Sequence, residues 1–168
     1  MTGSERSAAS DSINRQLLRS RQFGRAQAIG VYLATIDEVD LDAFIRTAWA
    51  LDKRVYAPRV AHNHEMFFLP LSPESAIVRN QYGIWEPAEG VEVSPGMLDW
   101  IILPMAVFDS NNHRIGMGGG YYDRALAFTR YHHAALPPRL TGVAFACQKA
   151  APFASNPWDI GVSRVYSD

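Results

Sequence analysis

The sequence predicts a single-domain α/β protein, a three-layer sandwich around a mostly parallel central sheet. Three observations carry that expectation. Apolar, strand-like runs alternate with amphipathic helical stretches, the pattern of parallel strands joined by crossover helices. The most apolar run, residues 98–108, shows no polar alternation, which suits a sheet covered on both faces. No internal repeat, low-complexity tract or linker divides the 168 residues, so one domain accounts for the chain.

The elements follow in order. Ile13, Leu17 and Leu18 give residues 4–21 a helical face, with Ser10 and Asp11 as candidate caps. Residues 28–34 read as a buried strand, followed by a polar turn at 35–40. Leu41, Phe44, Ile45, Ala48 and Leu51 then recur on one helical face, with Asp40 placed as N-cap. Residues 54–60 are a second strand and 66–71 a short third one. The proline-bearing stretch 72–98 has no sustained period and reads as loops with a short helix around 73–79. Residues 98–108 form the most apolar strand, 121–133 a helix, 141–146 another strand and 164–166 a short last one. Ligands of such sheets collect beyond the carboxyl ends of the strands. That rule selects four loops: 35–40, 58–64, 109–120 and 148–159.

Composition excludes several classes. A formal net charge of -1 offers no global field for nucleic acid or an anionic membrane. The lone cysteine, Cys147, permits no intrachain disulfide and suits a reducing compartment; it reads as a small apolar residue at a strand end. The apolar run 100–108 is half a membrane span, and the first six residues have no apolar signal core. A soluble, cytoplasmic protein is expected. His62 and His64 flank a turn, and His132 and His133 end the expected helix; neither pair has the cysteines or carboxylates of a zinc site.

The chemistry concentrates in the glycine loop. Gly116, Gly118, Gly119 and Gly120 lie between a buried strand and an amphipathic helix, where glycine lets successive N–H groups converge on one oxyanion. The helix start adds its own N–H groups, and Arg114 adds a charge-assisted bond. No Gly-Lys-Ser/Thr follows, and Tyr121 stands where a dinucleotide fingerprint needs its third glycine. Asp123, in the first helical turn, reads either as compensation of the helix dipole or as a ligand to Mg²⁺ beside phosphates, with Asp159 as a second carboxylate.

Residues 101–124, Ile-Ile-Leu-Pro-Met-Ala-Val-Phe-Asp-Ser-Asn-Asn-His-Arg-Ile-Gly-Met-Gly-Gly-Gly-Tyr-Tyr-Asp-Arg, closely resemble the 5-formyltetrahydrofolate cyclo-ligase family. Weaker matches sit at Glu38-Val-Asp40, at 53–58, at 83–87 and at Trp158-Asp159-Ile160, so the resemblance runs over about residues 25–168. It implies an ATP-dependent cyclisation of 5-formyltetrahydrofolate to 5,10-methenyltetrahydrofolate, with release of ADP and phosphate. By position, Arg114, Tyr121 and Tyr122 would be catalytic, and 114–122 (Arg114, Ile115, Gly116, Met117, Gly118, Gly119, Gly120, Tyr121, Tyr122) would hold ATP. Thr35, Glu38, Asp40, Trp85, Met117, Gly118, Gly119, Gly120 and Tyr121 would meet the folate, and Asp123 and Asp159 would hold Mg²⁺. Asp40 keeps its helix-capping alternative, and Trp85 the alternative of a core or lid aromatic. Implied partners are a reduced folate and ATP, without nucleic acid or membrane, for a chain acting as a monomer.

Three departures from the family pattern stand out. Family members begin with a basic helix that reaches the ATP phosphates, whereas this sequence resembles the stretch after it, with Arg6 and Arg15 as candidate substitutes. Leu41 occupies the place of an expected threonine, and Met117 that of a common arginine. The second reading is therefore a non-catalytic folate- or nucleotide-binding homologue.

Overall fold

Two helices begin the first outer layer of the computed structural model, which describes residues 1–61, 65–130 and 137–168. α1 (Gly3–Leu18) is started by a capping box: Thr2 Oγ1 accepts from Glu5 N at 3.3 Å, and the Glu5 carboxylate accepts from Thr2 N at 2.6 Å. Ser10 and Asp11 are therefore mid-helix rather than caps, because this reciprocal pair sets the start near the first residue. Ile13 and Leu17 are fully buried on the inner face. Ser20 caps the short α2 (Arg21–Arg25) through Phe23 N. α3 (Asp42–Ala50) completes the layer with Phe44, Ile45 and Ala48 buried. Leu51, expected on that face, is 56% exposed because the helix stops at Ala50 and the chain turns away.

The described residues form ten strands: β1 (Ala28–Gly30), β2 (Arg54–Val60), β3 (Met66–Leu71), β4 (Ile77–Arg79), β5 (Trp85–Pro87), β6 (Trp100–Pro104), β7 (Val107–Phe108), β8 (Arg114–Ile115), β9 (Arg139–Val143) and β10 (Arg164–Tyr166). Six of them form the central sheet in the order β10-β9-β6-β1-β2-β3. All neighbours pair parallel except β3, which runs antiparallel to β2 on the edge. β4 pairs with β5, and β7 with β8, as two separate antiparallel hairpins. The expected α/β class and mostly parallel sheet are what the chain forms.

β6 explains why the sheet needs two covering layers. Trp100 and Ile102 point into a core with α1, α2 and α3; Ile101 and Leu103 point into a second core with Leu126 and Phe68. All four are fully buried, as an unalternating apolar strand requires.

Several boundaries differ from expectation for local reasons. The strand expected over 98–108 breaks after Pro104, which has no N–H for a ladder. The helix expected around 73–79 is a turn followed by β4, where Ile77 and Val78 are β-branched and pair with β5. The helix expected over 121–133 ends as α4 (Tyr121–Ala125), followed by a 3₁₀ turn at Ala127–Arg130. There Thr129 Oγ1 donates to Leu126 O at 2.7 Å, a side-chain bond that competes with helix continuation. The strand expected over 141–146 stops at Val143, and Gln148 Oε1 accepts from Phe145 N at 2.6 Å to turn the chain. Cys147 lies on that turn and is exposed, not apolar and enclosed. His62, His64, His132 and His133 lie outside the described residues. No helix among the described residues is long and apolar enough to cross a membrane.

Candidate active site

The parallel strands deliver their carboxyl ends to one cavity of about 290 Å³. Tyr32, Leu33, Thr35 and Glu38 arrive from the end of β1, Pro58 and Val60 from β2, Pro104, Met105 and Ala106 from β6, and Gln148 from beyond β9. The glycine loop forms one wall with Arg114, Gly116, Met117, Gly119, Gly120, Tyr121, Tyr122 and Asp123. The β4–β5 hairpin forms another with Asn80, Ile84, Trp85 and Glu86. This is the location the strand-end rule predicts for a parallel sheet.

Backbone geometry suits the glycine loop to an anion. Gly118 and Gly120 have φ of 90° and 61°, values costly for any residue with a Cβ. Gly116 and Gly119 do not need that region. Among the described residues, no N–H of Gly116, Met117, Gly118, Gly119 or Gly120 donates to another protein group. Unpaired amides beside a guanidinium are the donors from which anion-binding nests are built. The helix after it is a single turn of five residues, so its macrodipole adds less than a helix reaching residue 133 would have added.

Arg114 is enclosed beneath this loop, with its side chain 3% exposed. Its Nε donates to Ile160 O at 2.9 Å, and NH2 donates to Asp123 Oδ1 at 2.6 Å. Ile160 N donates to the same Oδ1 at 3.0 Å. One carboxylate oxygen thus ties the glycine loop, α4 and the C-terminal segment together. Asp159 accepts from Asn156 N and Nδ2 through Oδ2, at 2.7 and 3.3 Å. Asp123 and Asp159 each keep an oxygen outside these bonds. Mg²⁺ shared with nucleotide phosphates needs only one or two carboxylates, so the donor chemistry fits. Among the described residues no group of three or more His, Cys, Asp or Glu could hold a metal by itself.

Tyr122 has a buried hydroxyl with no hydrogen-bond partner among the described residues. Burial raises its pKa well above that of an ordinary phenol; the charge of Glu38 adds to this, and Arg114 opposes it. A buried unpaired hydroxyl costs free energy. Burial likewise raises the pKa of Tyr32, whose hydroxyl donates to Val39 O at 2.6 Å. Glu38 accepts from Thr35 N at 2.7 Å and so shapes its own loop.

The sequence-derived candidates therefore converge in part. Thr35, Glu38, Trp85, Arg114, Gly116, Met117, Gly119, Gly120, Tyr121, Tyr122 and Asp123 line one cavity. Asp40 does not, nor is it the N-cap: that position is Leu41, without a side-chain cap bond, and Asp40 Oδ1 accepts from Asp42 N at 2.9 Å in the turn before α3. Ile115, Gly118 and Asp159 also lie off the lining. Sequence reasoning missed Tyr32, Asn80, Glu86 and Gln148. Tyr32 sits in an apolar strand and reads as core, and the other three are recognisable only once the hairpin and the strand ends are folded together.

Asp109 anchors the base of the loop. Burial on its own would raise its pKa, but N–H donors of His113, Phe153 and Asn111 and the His113 ring favour the charged form and hold it below the ordinary value. The distances are 2.9 Å from His113 N and Asn111 N, 3.0 Å from His113 Nδ1 and 3.2 Å from Phe153 N. A depressed folded pKa contributes stability above the unfolded value, about 3.9, and loses it as pH falls through the folded value. Asp109→Asn is expected to be less stable than the wild type at pH 7, with a smaller gap at pH 3, below the unfolded pKa. Urea denaturation at both pH values measures this; a gap that stays constant would refute the assignment.

Comparison with known proteins gives the same direction. A profile of the 5-formyltetrahydrofolate cyclo-ligase family matches residues 1–168. A 5-formyltetrahydrofolate cyclo-ligase of Haemophilus influenzae is 32% identical over 165 residues, covering 95% of this chain and 86% of its own. One from Escherichia coli K12 is 36% identical over 145 residues, covering 83% and 77%. Among solved structures, a 5,10-methenyltetrahydrofolate synthetase of Aquifex aeolicus superposes with a TM-score of 0.81 at 28% identity, over 98% of this chain and 80% of that one. A second, from Mycoplasma pneumoniae, reaches 0.76 at 24% identity over 100% and 90%, a likeness of fold.

Proposed function

The chain belongs to the 5-formyltetrahydrofolate cyclo-ligase family, and we propose how this site carries out the family's ATP-dependent reaction. The activity is the cyclisation of 5-formyltetrahydrofolate to 5,10-methenyltetrahydrofolate. The γ-phosphoryl group of ATP passes to the formyl oxygen, releasing ADP and turning a poor leaving group into a good one. N10 then attacks the formyl carbon, its proton is lost, and the C–O bond to phosphate breaks as the ring closes.

Phosphoryl transfer asks the protein mainly for positioning and charge neutralisation. Arg114 and the amides of 116–120 take the phosphates, Tyr122 offers its unpaired hydroxyl to the reacting groups, and Thr35, Glu38, Trp85 and Tyr121 take the folate. Asp123 and Asp159 hold the Mg²⁺ that accompanies ATP and offsets phosphate charge. The enzyme is a single-domain, cytoplasmic monomer without nucleic-acid or membrane partners. The observation that carries this reading is the run of unpaired amides beside enclosed Arg114 in the same cavity as Glu38, Trp85 and Tyr121. The test is incubation of purified protein with Mg-ATP and 5-formyltetrahydrofolate. Appearance of the methenyl chromophore with one ADP per turnover is expected, and neither product at high enzyme concentration refutes it.

One observation favours the second reading, a binding homologue without turnover. The charge of Arg114 is already paired with Asp123, which leaves less of it for phosphate. Calorimetry separates the two, since this reading requires folate binding with no release of ADP.

A further inference from the structure

The β4–β5 hairpin is joined to the rest of the molecule in two unlike ways. At its strand end the attachment is enclosed. Glu86, 6% exposed, accepts from Asn80 Nδ2 at 3.0 Å and from Val60 N at 3.4 Å, and pairs with Arg59 Nε at 3.8 Å. At its tip the attachment is open to solvent: Tyr121 OH donates to Tyr82 OH at 2.6 Å, and Tyr82 is 48% exposed. The two rings lie 5.9 Å apart at 60°, and the Arg124 guanidinium sits 5.0 Å from the Tyr121 ring. Tyr121 is thus gripped between α4 and the hairpin. Ile84 and Trp85, next to Tyr82 in the chain, line the cavity while remaining 42% and 41% exposed.

The cavity is also small for its task. Its volume of about 290 Å³ is at the lower end of the roughly 300–1,000 Å³ usual for a single ligand. The reaction proposed above brings two ligands together. The hairpin is the wall with one enclosed end and one solvent-exposed contact, the Tyr82–Tyr121 pair.

We propose that Tyr82 is a positioning residue: its phenol holds the Tyr121 ring across the mouth of the cavity, latching the β4–β5 hairpin over the folate. The inference rests on the cyclo-ligase reading for the identity of the ligand. Tyr82 touches Tyr121 and acts through it, while the phosphate side of the cavity, built by Arg114 and the glycine loop, stays outside its reach.

Tyr82→Phe removes the latch and keeps the ring. One exposed hydrogen bond corresponds to about a three- to tenfold change in an equilibrium. Calorimetry on the full chain should show 5-formyltetrahydrofolate bound three- to tenfold more weakly, with ATP affinity within twofold of wild type. In the Tyr121→Phe background the same substitution should change folate affinity by less than twofold, because the two phenols act as one pair. A folate affinity within twofold of wild type for Tyr82→Phe, or an equal loss when Tyr121 is already Phe, overturns the proposal. Absence of turnover by the unmodified protein counts against the reaction alone, because neither measurement here requires turnover.

Discussion

Arg114→Met is expected to lower kcat/KM for 5-formyltetrahydrofolate by about 10²–10³-fold, the usual loss when one preorganised donor to a developing anion is removed. The side chain is 3% exposed and lines the cavity directly under the amides of the glycine loop. Its charge therefore acts where water is largely excluded. Methionine matches the length of the stem and removes all five N–H donors at once. The bond to Ile160 O and the pair with Asp123 go with the charge. Asp123 is 24% exposed, so water reaches it, and the stability cost should fall at or below the lower end of the roughly 3–5 kcal/mol for breaking a buried pair.

Arg114→Lys is the informative companion. A lysine keeps one positive charge but cannot span Ile160 O and Asp123 with a planar fork. It should recover no more than about a tenth of the lost activity. Steady-state kinetics beside urea denaturation separates catalysis from stability. Arg114→Met within tenfold of wild type, with the fold intact, would remove Arg114 from the mechanism.

The legible parts of the fold were those dictated by local pattern. The run at 98–108 carried no polar alternation, and β6 is buried on both faces in consequence. The glycine cluster stood out because two positions, Gly118 and Gly120, do take positive φ. Other features depend on pairing between distant segments. Ile77 and Val78 fell within the helix expected around 73–79 and form a strand because β5 pairs with them. Glu86 looked like any surface carboxylate, yet it is enclosed because Arg59, Val60 and Asn80 close around it. Thr2 and Glu5 showed a capping box in plain sequence, but no apolar residue follows them closely enough to mark a helix start. The pairing of Arg114 with Asp123, nine residues apart across a loop, has no periodic signature at all. Each residue was individually legible as a site candidate, and their bond to one another was not.

Trp100→Ala is expected to cost about 3–5 kcal/mol, the range for truncating a buried aromatic residue. Trp100 is fully buried at the start of β6, and its ring meets Phe44 edge-on at 5.6 Å, which in turn meets Phe23 at 5.3 Å. The substitution opens the core where α2, α3 and the sheet converge. It also leaves the enclosed Thr141 hydroxyl without the indole N–H that reaches it at 2.9 Å. Against a total stability of about 5–15 kcal/mol for a domain, the loss is about a fifth or more, and Tm should fall by about 6–20 °C. Trp100→Phe keeps most of the volume, loses the donor and should fall well short of the alanine cost. Position along the strand makes the prediction sharper. Trp100 begins β6, whereas Pro104 at the other end reaches the cavity. Below its own Tm, Trp100→Ala should therefore keep kcat/KM within about threefold of wild type, since binding sites in parallel sheets are built at carboxyl ends. Urea denaturation and kinetics at 15 °C test both halves. A loss under about 1.5 kcal/mol would refute the packing argument, and a hundredfold loss of activity in a folded protein would refute the separation of scaffold from site.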